Sequence, residues 1–252
     1  MKKEEKPLFV SLKKHLSKKV KNMDKKELLN QNIDTKEKEN QIKIKPNSTI
    51  LFIGDSITDV SRDRMDSESL GSGFPILLAA DLLGKYPNYD LKIYNRGISG
   101  NKVIDLRNRW ESDCLNLNPD VVTILIGIND VWRLAEAGAE QTEEDLQKFE
   151  DDYRYLLKSL AHRTDARVVL MEPFDLPYPK DRHTWRKYLD PRIHIIRRIA
   201  NDYHTALVPL DGLFNAKGIE NTYEVYTGND GVHPTLTGHK LIADAWKQHL
   251  NI

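Results

Sequence analysis

Three residues of the sequence have the types that acyl transfer needs: Ser56, Asp230 and His233. A serine hydroxyl is a weak nucleophile until an adjacent imidazole accepts its proton, and His233 is predicted to be that general base. Asp230, three residues earlier, can hold the ring in the correct tautomer and stabilise its cationic form. Gly231 permits the tight turn that this contact requires. The three residues predict a two-step acyl transfer.

A tetrahedral intermediate also needs hydrogen-bond donors for its oxyanion. The backbone N–H groups of Ser56 and Gly100 and the side-chain amide of Asn129 are predicted to supply them. Gly100 suits this role because a residue without a side chain lets the backbone approach the substrate closely.

The segments that contain Ser56, Gly100 and Asn129 each follow an apolar run of the kind that forms a buried strand. The segment that contains Asp230 lies further beyond the last such run. The predicted strands cover residues 50–53, 91–94, 121–126, 168–171 and 206–210. Run 121–126 is almost wholly apolar, which suits a central parallel strand covered on both faces. Ligands of an open parallel sheet bind beyond the carboxyl ends of its strands, so the polar segments are expected to meet at one edge.

Segments with helical spacing alternate with these strands. Pro75 can open a helix that Gly84 closes, and Thr142 with Asp145 resembles a capping box. Strand and helix alternation predicts an α/β fold, a doubly wound five-stranded parallel sheet with helices on both faces. We expect the flavodoxin-like strand order 2-1-3-4-5.

Four short blocks carry a family resemblance: GDSIT at 54–58, NRGISG at 95–100, GIND at 127–130 and DGVHP at 230–234. In this order the chain resembles the SGNH, or GDSL-type, serine hydrolases over roughly residues 48–250. The four family residues map to Ser56, Gly100, Asn129 and His233, and Asp230 completes the triad. The resemblance implies the SGNH hydrolase fold and a serine esterase with no metal and no cofactor. One departure is Ile57, which stands where leucine is usual.

Longer matches resemble the bacterial serine acetylxylan-esterase branch: GDSITD, LGSGF, NRGISGNKVIDL with RW at 109–110, and GINDVWR. Members of this branch remove acetyl groups from xylan or xylo-oligosaccharides and are often oligomeric. The resemblance therefore implies a small acyl ester substrate, on a small molecule or an oligosaccharide, and a homo-oligomer. A lipid or thioester hydrolase or an acyltransferase of the same fold stays open, as does a non-catalytic carbohydrate binder.

Other interpretations exist for the same residues. Ser56 could be an ordinary helix N-cap. Asp230 and His233 could be metal ligands, but the chain has no companion cluster at ligand spacing, so no metal is expected. Ser99 lies in a pattern similar to G-x-S-x-G, which fails at Asn101, so Ser99 is not the predicted nucleophile.

Asp55, Trp132 and Arg133 are candidates for lining the substrate cleft. Trp132 could stack on a sugar ring or simply pack. Asp55 and Asp130 also suit hydrogen bonds to the N–H groups of their own loops, which would make them structural. The proline-rich segment 173–191 could cover the site or contact another subunit.

The charge of the chain is unevenly distributed. Residues 1–46 hold fourteen lysines and seven acidic residues, a net charge of +7. Because the whole chain is neutral, residues 47–252 have a net charge of −7. We therefore expect a lysine-rich N-terminal extension, disordered or partly helical, over 1–46, and a hydrolase domain over 47–252. A negative domain is a poor partner for nucleic acid. The single cysteine and the absence of an 18-residue apolar run predict no membrane span and a cytoplasmic location.

Overall fold

The computed structural model describes residues 42–252. Five parallel strands form one sheet in the order β2-β1-β3-β4-β5, which confirms the predicted order. The strands are β1 (Thr49–Gly54), β2 (Lys92–Gly97), β3 (Val121–Leu125), β4 (Arg167–Met171) and β5 (Ala206–Val208). β1 pairs with β2 and β3 on its two sides, so Gly54 lies beside Gly97 and Leu125. The carboxyl ends of these three strands therefore lie side by side.

Helices connect the strands and cover both faces of the sheet. They are α1 (Ser56–Asp59), α2 (Phe74–Lys85), α3 (Val103–Asn108), α4 (Trp110–Asp113), α5 (Ile128–Ala137), α6 (Glu143–Arg163), α7 (Arg186–Asp202), α8 (Leu210–Glu220), α9 (Glu224–Thr227) and α10 (Leu236–Leu250). Short 3-10 helices form at Leu115–Leu117 and Lys180–Trp185. The predicted capping box at Thr142 and Asp145 is present at the start of α6.

Alternate residues of β1 enter two separate hydrophobic clusters. Ile50 and Phe52 pack with residues of α2 and α10, whereas Leu51 and Ile53 pack with α3, α4 and α6. Successive side chains of a strand point to opposite faces, so a strand buried on both faces needs an unbroken apolar run. This requirement explains why the predicted strands are apolar runs in the sequence.

Two helical segments differ from their expected form. In the sequence, an apolar stripe at the three-to-four spacing of one helix consists of Val103, Leu106, Trp110, Cys114 and Leu117. In the structure this stretch forms α3, α4 and a 3-10 turn, with Arg109 between the first two. Helix α2 passes through Gly84 and ends at Lys85.

The described packing begins before the expected domain boundary at residue 47. Ile42 and Ile44 are buried in the same cluster as Phe52. The lysine-rich extension expected over 1–46 lies outside the described residues as far as residue 41. Within 42–252, no helix is long and apolar enough to cross a membrane.

Candidate active site

Ser56 is the first residue of α1, directly beyond the end of β1. Asp55 is the N-cap of this helix, and its Oδ1 accepts the Ile57 N–H at 3.0 Å. The Ser56 hydroxyl is therefore not needed as the cap. It instead lies 2.9 Å from Nε2 of His233, 177 residues away along the chain. This distance is within the range of a hydroxyl–imidazole hydrogen bond.

The far side of the imidazole meets Asp230. The distance between His233 Nδ1 and Asp230 Oδ2 is 2.5 Å. The other carboxylate oxygen accepts the backbone N–H groups of Val232 at 2.9 Å and His233 at 2.8 Å. The carboxylate is thus held on one oxygen by its own loop and presents the other to the ring. Ser56, His233 and Asp230 form one continuous chain of hydrogen bonds.

Gly231 is required by this loop for two reasons. Its φ is +76°, in the left-handed region that glycine adopts without strain. A Cβ at this position would lie 2.1 Å from the Tyr178 carbonyl oxygen. The Gly231 carbonyl accepts the Leu176 N–H at 2.9 Å, so the loop packs directly against the segment that follows β4.

The contact with Asp230 changes the pKa of both partners. The hydrogen bond that Asp230 accepts from the ring raises the pKa of His233 above its ordinary value of 6.5, and burial opposes this change only in part. Burial alone would raise the pKa of Asp230, but the His233 contact and the two backbone N–H groups lower it below 3.8. Asp230 therefore stays ionised while His233 titrates.

This shift predicts the acid side of the pH profile. A general base must be neutral, so activity is expected to rise with pH as His233 loses its proton. Because the pKa of His233 is raised, the midpoint of this rise in kcat/KM is expected above 6.5. Initial rates of ester hydrolysis across a pH series give the midpoint. A rate that stays constant from about pH 5 to about pH 9 would contradict a titrating base.

The three candidate oxyanion donors lie at the ends of adjacent strands. Within residues 42–252, the Ser56 and Gly100 N–H groups donate to no protein acceptor and are available to a ligand. Gly100 has φ +83°, and the space where a Cβ would lie is open. Asn129 is in the first turn of α5 and is 7% exposed. Its Nδ2 donates to the Asn101 carbonyl at 3.1 Å, which leaves its second N–H free.

One side of the imidazole is bordered by aromatic residues. The Trp132 ring lies 5.8 Å from the His233 ring and 5.0 Å from that of Trp185. Arg182, nearly buried, stacks against both indoles, at 4.9 Å from Trp132 and 3.8 Å from Trp185. Its Nε donates to the Asp230 carbonyl at 2.8 Å. Sequence reasoning missed Arg182, because no motif marks it within segment 173–191.

The other two residues expected to line the cleft make local contacts of their own. Asp55 is 1% exposed and its Oδ1 accepts the Ile57 N–H, the kind of loop contact that the structural alternative expects. Arg133 is exposed and pairs with Glu136 at 2.9 Å. It lies on the wall of a cavity of about 520 Å³ whose lining includes Asp130 and Lys102 and none of the triad.

Asp55 and Asp130 share an environment that favours their neutral form. Burial raises the pKa of each carboxyl to about 7. Asp130 accepts the N–H of Val103, a residue outside its own loop, at 3.2 Å and so anchors the start of α3. Among residues 42–252, no group of three His, Cys, Asp or Glu is arranged to hold a metal ion.

Comparison with known proteins agrees with this architecture. The model of the GDSL-like lipase/acylhydrolase family matches residues 52–241. A curated acetylxylan esterase of Geobacillus stearothermophilus is 33% identical over an alignment of 216 residues, and the alignment covers 83% of this chain and 96% of that protein.

Solved structures match over a similar length. One is an acetylxylan esterase from Geobacillus stearothermophilus, with a TM-score of 0.74 at 32% identity over 84% of this chain and 97% of that one. Its structures include catalytic mutants in which a serine, an aspartate or a histidine is replaced by alanine. Another is a protein from Parabacteroides merdae described as GDSL-like lipase, with a TM-score of 0.76 at 38% identity over 84% and 99% of the two chains.

Fold and matches together place the chain among the carboxylic ester hydrolases. It belongs to the GDSL-like lipase/acylhydrolase family.

Proposed function

We propose that the protein is a serine esterase that removes acetyl groups from carbohydrate, such as acetylated xylan or xylo-oligosaccharides, through an acyl-enzyme. The observation that carries the serine mechanism is the pair of contacts at His233, 2.9 Å to the Ser56 hydroxyl and 2.5 Å to the Asp230 carboxylate. A hydroxyl, an imidazole and a carboxylate in this order are the parts of a nucleophile, a general base and its orienting acid.

In the first step His233 Nε2 takes the proton of Ser56 as Oγ attacks the ester carbonyl carbon. The oxyanion that forms is stabilised by the N–H groups of Ser56 and Gly100 and by the Asn129 amide. His233 then donates its proton to the leaving sugar oxygen, and the acyl group stays on Ser56. Asp230 stabilises the imidazolium during this step.

In the second step His233 takes a proton from water, which attacks the acyl-enzyme carbonyl. Collapse of the second tetrahedral intermediate releases the acid and returns the proton to Ser56. No step requires a metal or a cofactor.

Two observations support acetyl esters of carbohydrate as the substrate. The Geobacillus relative, which this chain covers almost completely, is an acetylxylan esterase. Trp132 is partly exposed and adjacent to His233, where an indole face can pack against a sugar ring. The homo-oligomer and the cytoplasmic location stay predictions, as does the N-terminal extension.

A substrate panel tests this proposal. Acetate release is measured on acetylated xylo-oligosaccharides, other acetylated sugars and 4-nitrophenyl esters of increasing chain length, beside the Ser56→Ala variant. We expect hydrolysis of acetyl esters and a steep fall in kcat/KM for longer acyl chains. A preference for long chains would favour the lipid hydrolase alternative, and an inactive wild-type protein would favour the binder.

Asn129 has its own predicted effect. Its replacement by alanine removes one oxyanion donor, and kcat is expected to fall about 10²–10³-fold with little change in KM. Steady-state kinetics and a thermal unfolding curve separate this loss from misfolding. Thr142→Ala, which removes the side-chain cap at the start of α6, is the control for a small stability loss without loss of kcat. An unchanged kcat for Asn129→Ala would remove Asn129 from the oxyanion hole.

A further inference from the structure

Arg109 lies in the break between α3 and α4, and its guanidinium contacts three segments of the candidate site. Nε donates to the Asn101 side-chain oxygen at 2.8 Å. One terminal nitrogen donates to the Arg96 carbonyl at 2.7 Å, and the other donates to the Gly54 carbonyl at 3.1 Å. A fourth bond, to Asp113 at 2.7 Å, anchors the guanidinium to α4.

The three acceptors outside α4 lie close in sequence to Ser56 or Gly100, which the proposed mechanism uses. Gly54 is the last residue of β1, two positions before Ser56. The Arg96 carbonyl belongs to the end of β2. Asn101 directly follows Gly100. The side chain of Arg109 is only 14% exposed, so these contacts are largely shielded from water.

Asn101 extends this set of contacts to the third oxyanion donor. Its backbone carbonyl accepts the Asn129 amide at 3.1 Å, and its own N–H donates to Ile98 at 3.2 Å. Arg109 therefore binds the side chain of Asn101, and the backbone carbonyl of Asn101 binds the Asn129 amide. A displacement of Asn101 would move Gly100 as well, because the two are joined by one peptide bond.

We propose that Arg109 is a positioning residue that sets the geometry of the oxyanion hole through Asn101. This role rests on the proposed esterase function. The rigid, planar guanidinium supplies donors in fixed directions to several acceptors at once, which the single ammonium of lysine cannot do. Arg109→Lys keeps the positive charge beside Asp113 and loses this geometry, so it separates positioning from charge.

The test compares kcat, KM and thermal unfolding of Arg109→Lys with the wild type on 4-nitrophenyl acetate. Because misplacement by about 1 Å can reduce a rate about 10²-fold, kcat is expected to fall about 10- to 100-fold while KM stays within about threefold. The matched control is Arg154→Lys, since Arg154 also makes two ionic hydrogen bonds, to Glu150 of α6 and Asp202 of α7. It is expected to keep the wild-type kcat.

A double-mutant cycle supplies the readout that a merely structural role would not change. If Arg109 acts through Asn129, the fold-reduction of kcat caused by Arg109→Lys is expected to depend on whether Asn129 is present. In the Asn129→Ala background this fold-reduction should be at most about one third of that in the wild type. Asn101→Ala, which removes the acceptor of Arg109 Nε, covers the case in which Arg109→Lys does not fold. It is expected to lower kcat about tenfold.

A wild-type kcat in folded Arg109→Lys or in Asn101→Ala, or fully independent effects in the cycle, would overturn the role of Arg109. These outcomes differ from failure of the proposed function, in which the wild-type protein itself would hydrolyse no ester or Ser56→Ala would stay active.

Discussion

Replacement of Ser56 by alanine is expected to lower kcat on acetyl esters by roughly 10⁶-fold, the loss seen when a serine nucleophile is removed from a complete triad. The variant keeps the fold, because the Asp55 carboxylate and not Ser56 caps α1. Substrate binding is expected to persist, since no donor of the oxyanion hole is a side-chain atom of Ser56. The measurement is acetate release by a purified preparation that contains no other esterase.

Ser159→Ala is the matched control for this loss. The Ser159 hydroxyl donates to the Tyr155 and Leu156 carbonyls of its own helix, α6. This variant is expected to keep the wild-type kcat. If Ser56→Ala kept more than a few per cent of the wild-type rate, another group would have to be the nucleophile.

Replacement of Asp230 by asparagine is expected to lower kcat by roughly 10⁴-fold, with the loop intact. The asparagine Oδ1 can still accept the N–H groups of Val232 and His233. Its NH₂, however, would face His233 Nδ1 where the carboxylate now accepts. This favours the tautomer that carries its proton on Nε2, and that nitrogen cannot accept the proton of Ser56.

The same variant has a predicted pH signature. The Asp230 hydrogen bond raises the pKa of His233, so its loss is expected to move the acid limb of the residual kcat/KM profile to lower pH. Asp244→Asn, which removes an exposed carboxylate paired with Lys240, is the control and should leave the profile unchanged. A profile for Asp230→Asn with its midpoint unmoved would contradict the assignment of Asp230 as the partner of His233.

The sheet was predictable because its strands are covered on both faces. A strand in that position needs apolar side chains at nearly every residue, so β1 and β3 stand out as almost wholly apolar runs. The Ser56 and His233 blocks were predictable for a related reason. They contain the residue types that acyl transfer requires, and these can be recognised without knowledge of the packing around them.

The supporting residues were less predictable because their contacts depend on the tertiary structure. Arg182 reaches the Asp230 carbonyl across 48 residues, and its stacking on Trp132 needs the folded position of α5. Arg109 was visible only as part of the RW pair. Its four hydrogen bonds depend on the break between α3 and α4, which the regular apolar stripe did not indicate.

The contact made by the Asp55 side chain was unpredictable for a similar reason. The sequence places a carboxylate beside the nucleophile, where it would suit either the cleft or the loop. Only the conformation at the start of α1, which directs Oδ1 to the Ile57 N–H, decides between them.

The most direct test of the central claim is to find which residue a fluorophosphonate probe modifies. Mass spectrometry of the digested protein is expected to show one adduct, on Ser56, in the wild type and in Ser99→Ala. The adduct should be absent from Ser56→Ala and much slower to form in His233→Ala, because the hydroxyl that His233 contacts would have lost its base. A protein that hydrolyses acetyl esters yet carries the adduct on another residue, or labels equally fast without His233, would contradict the account.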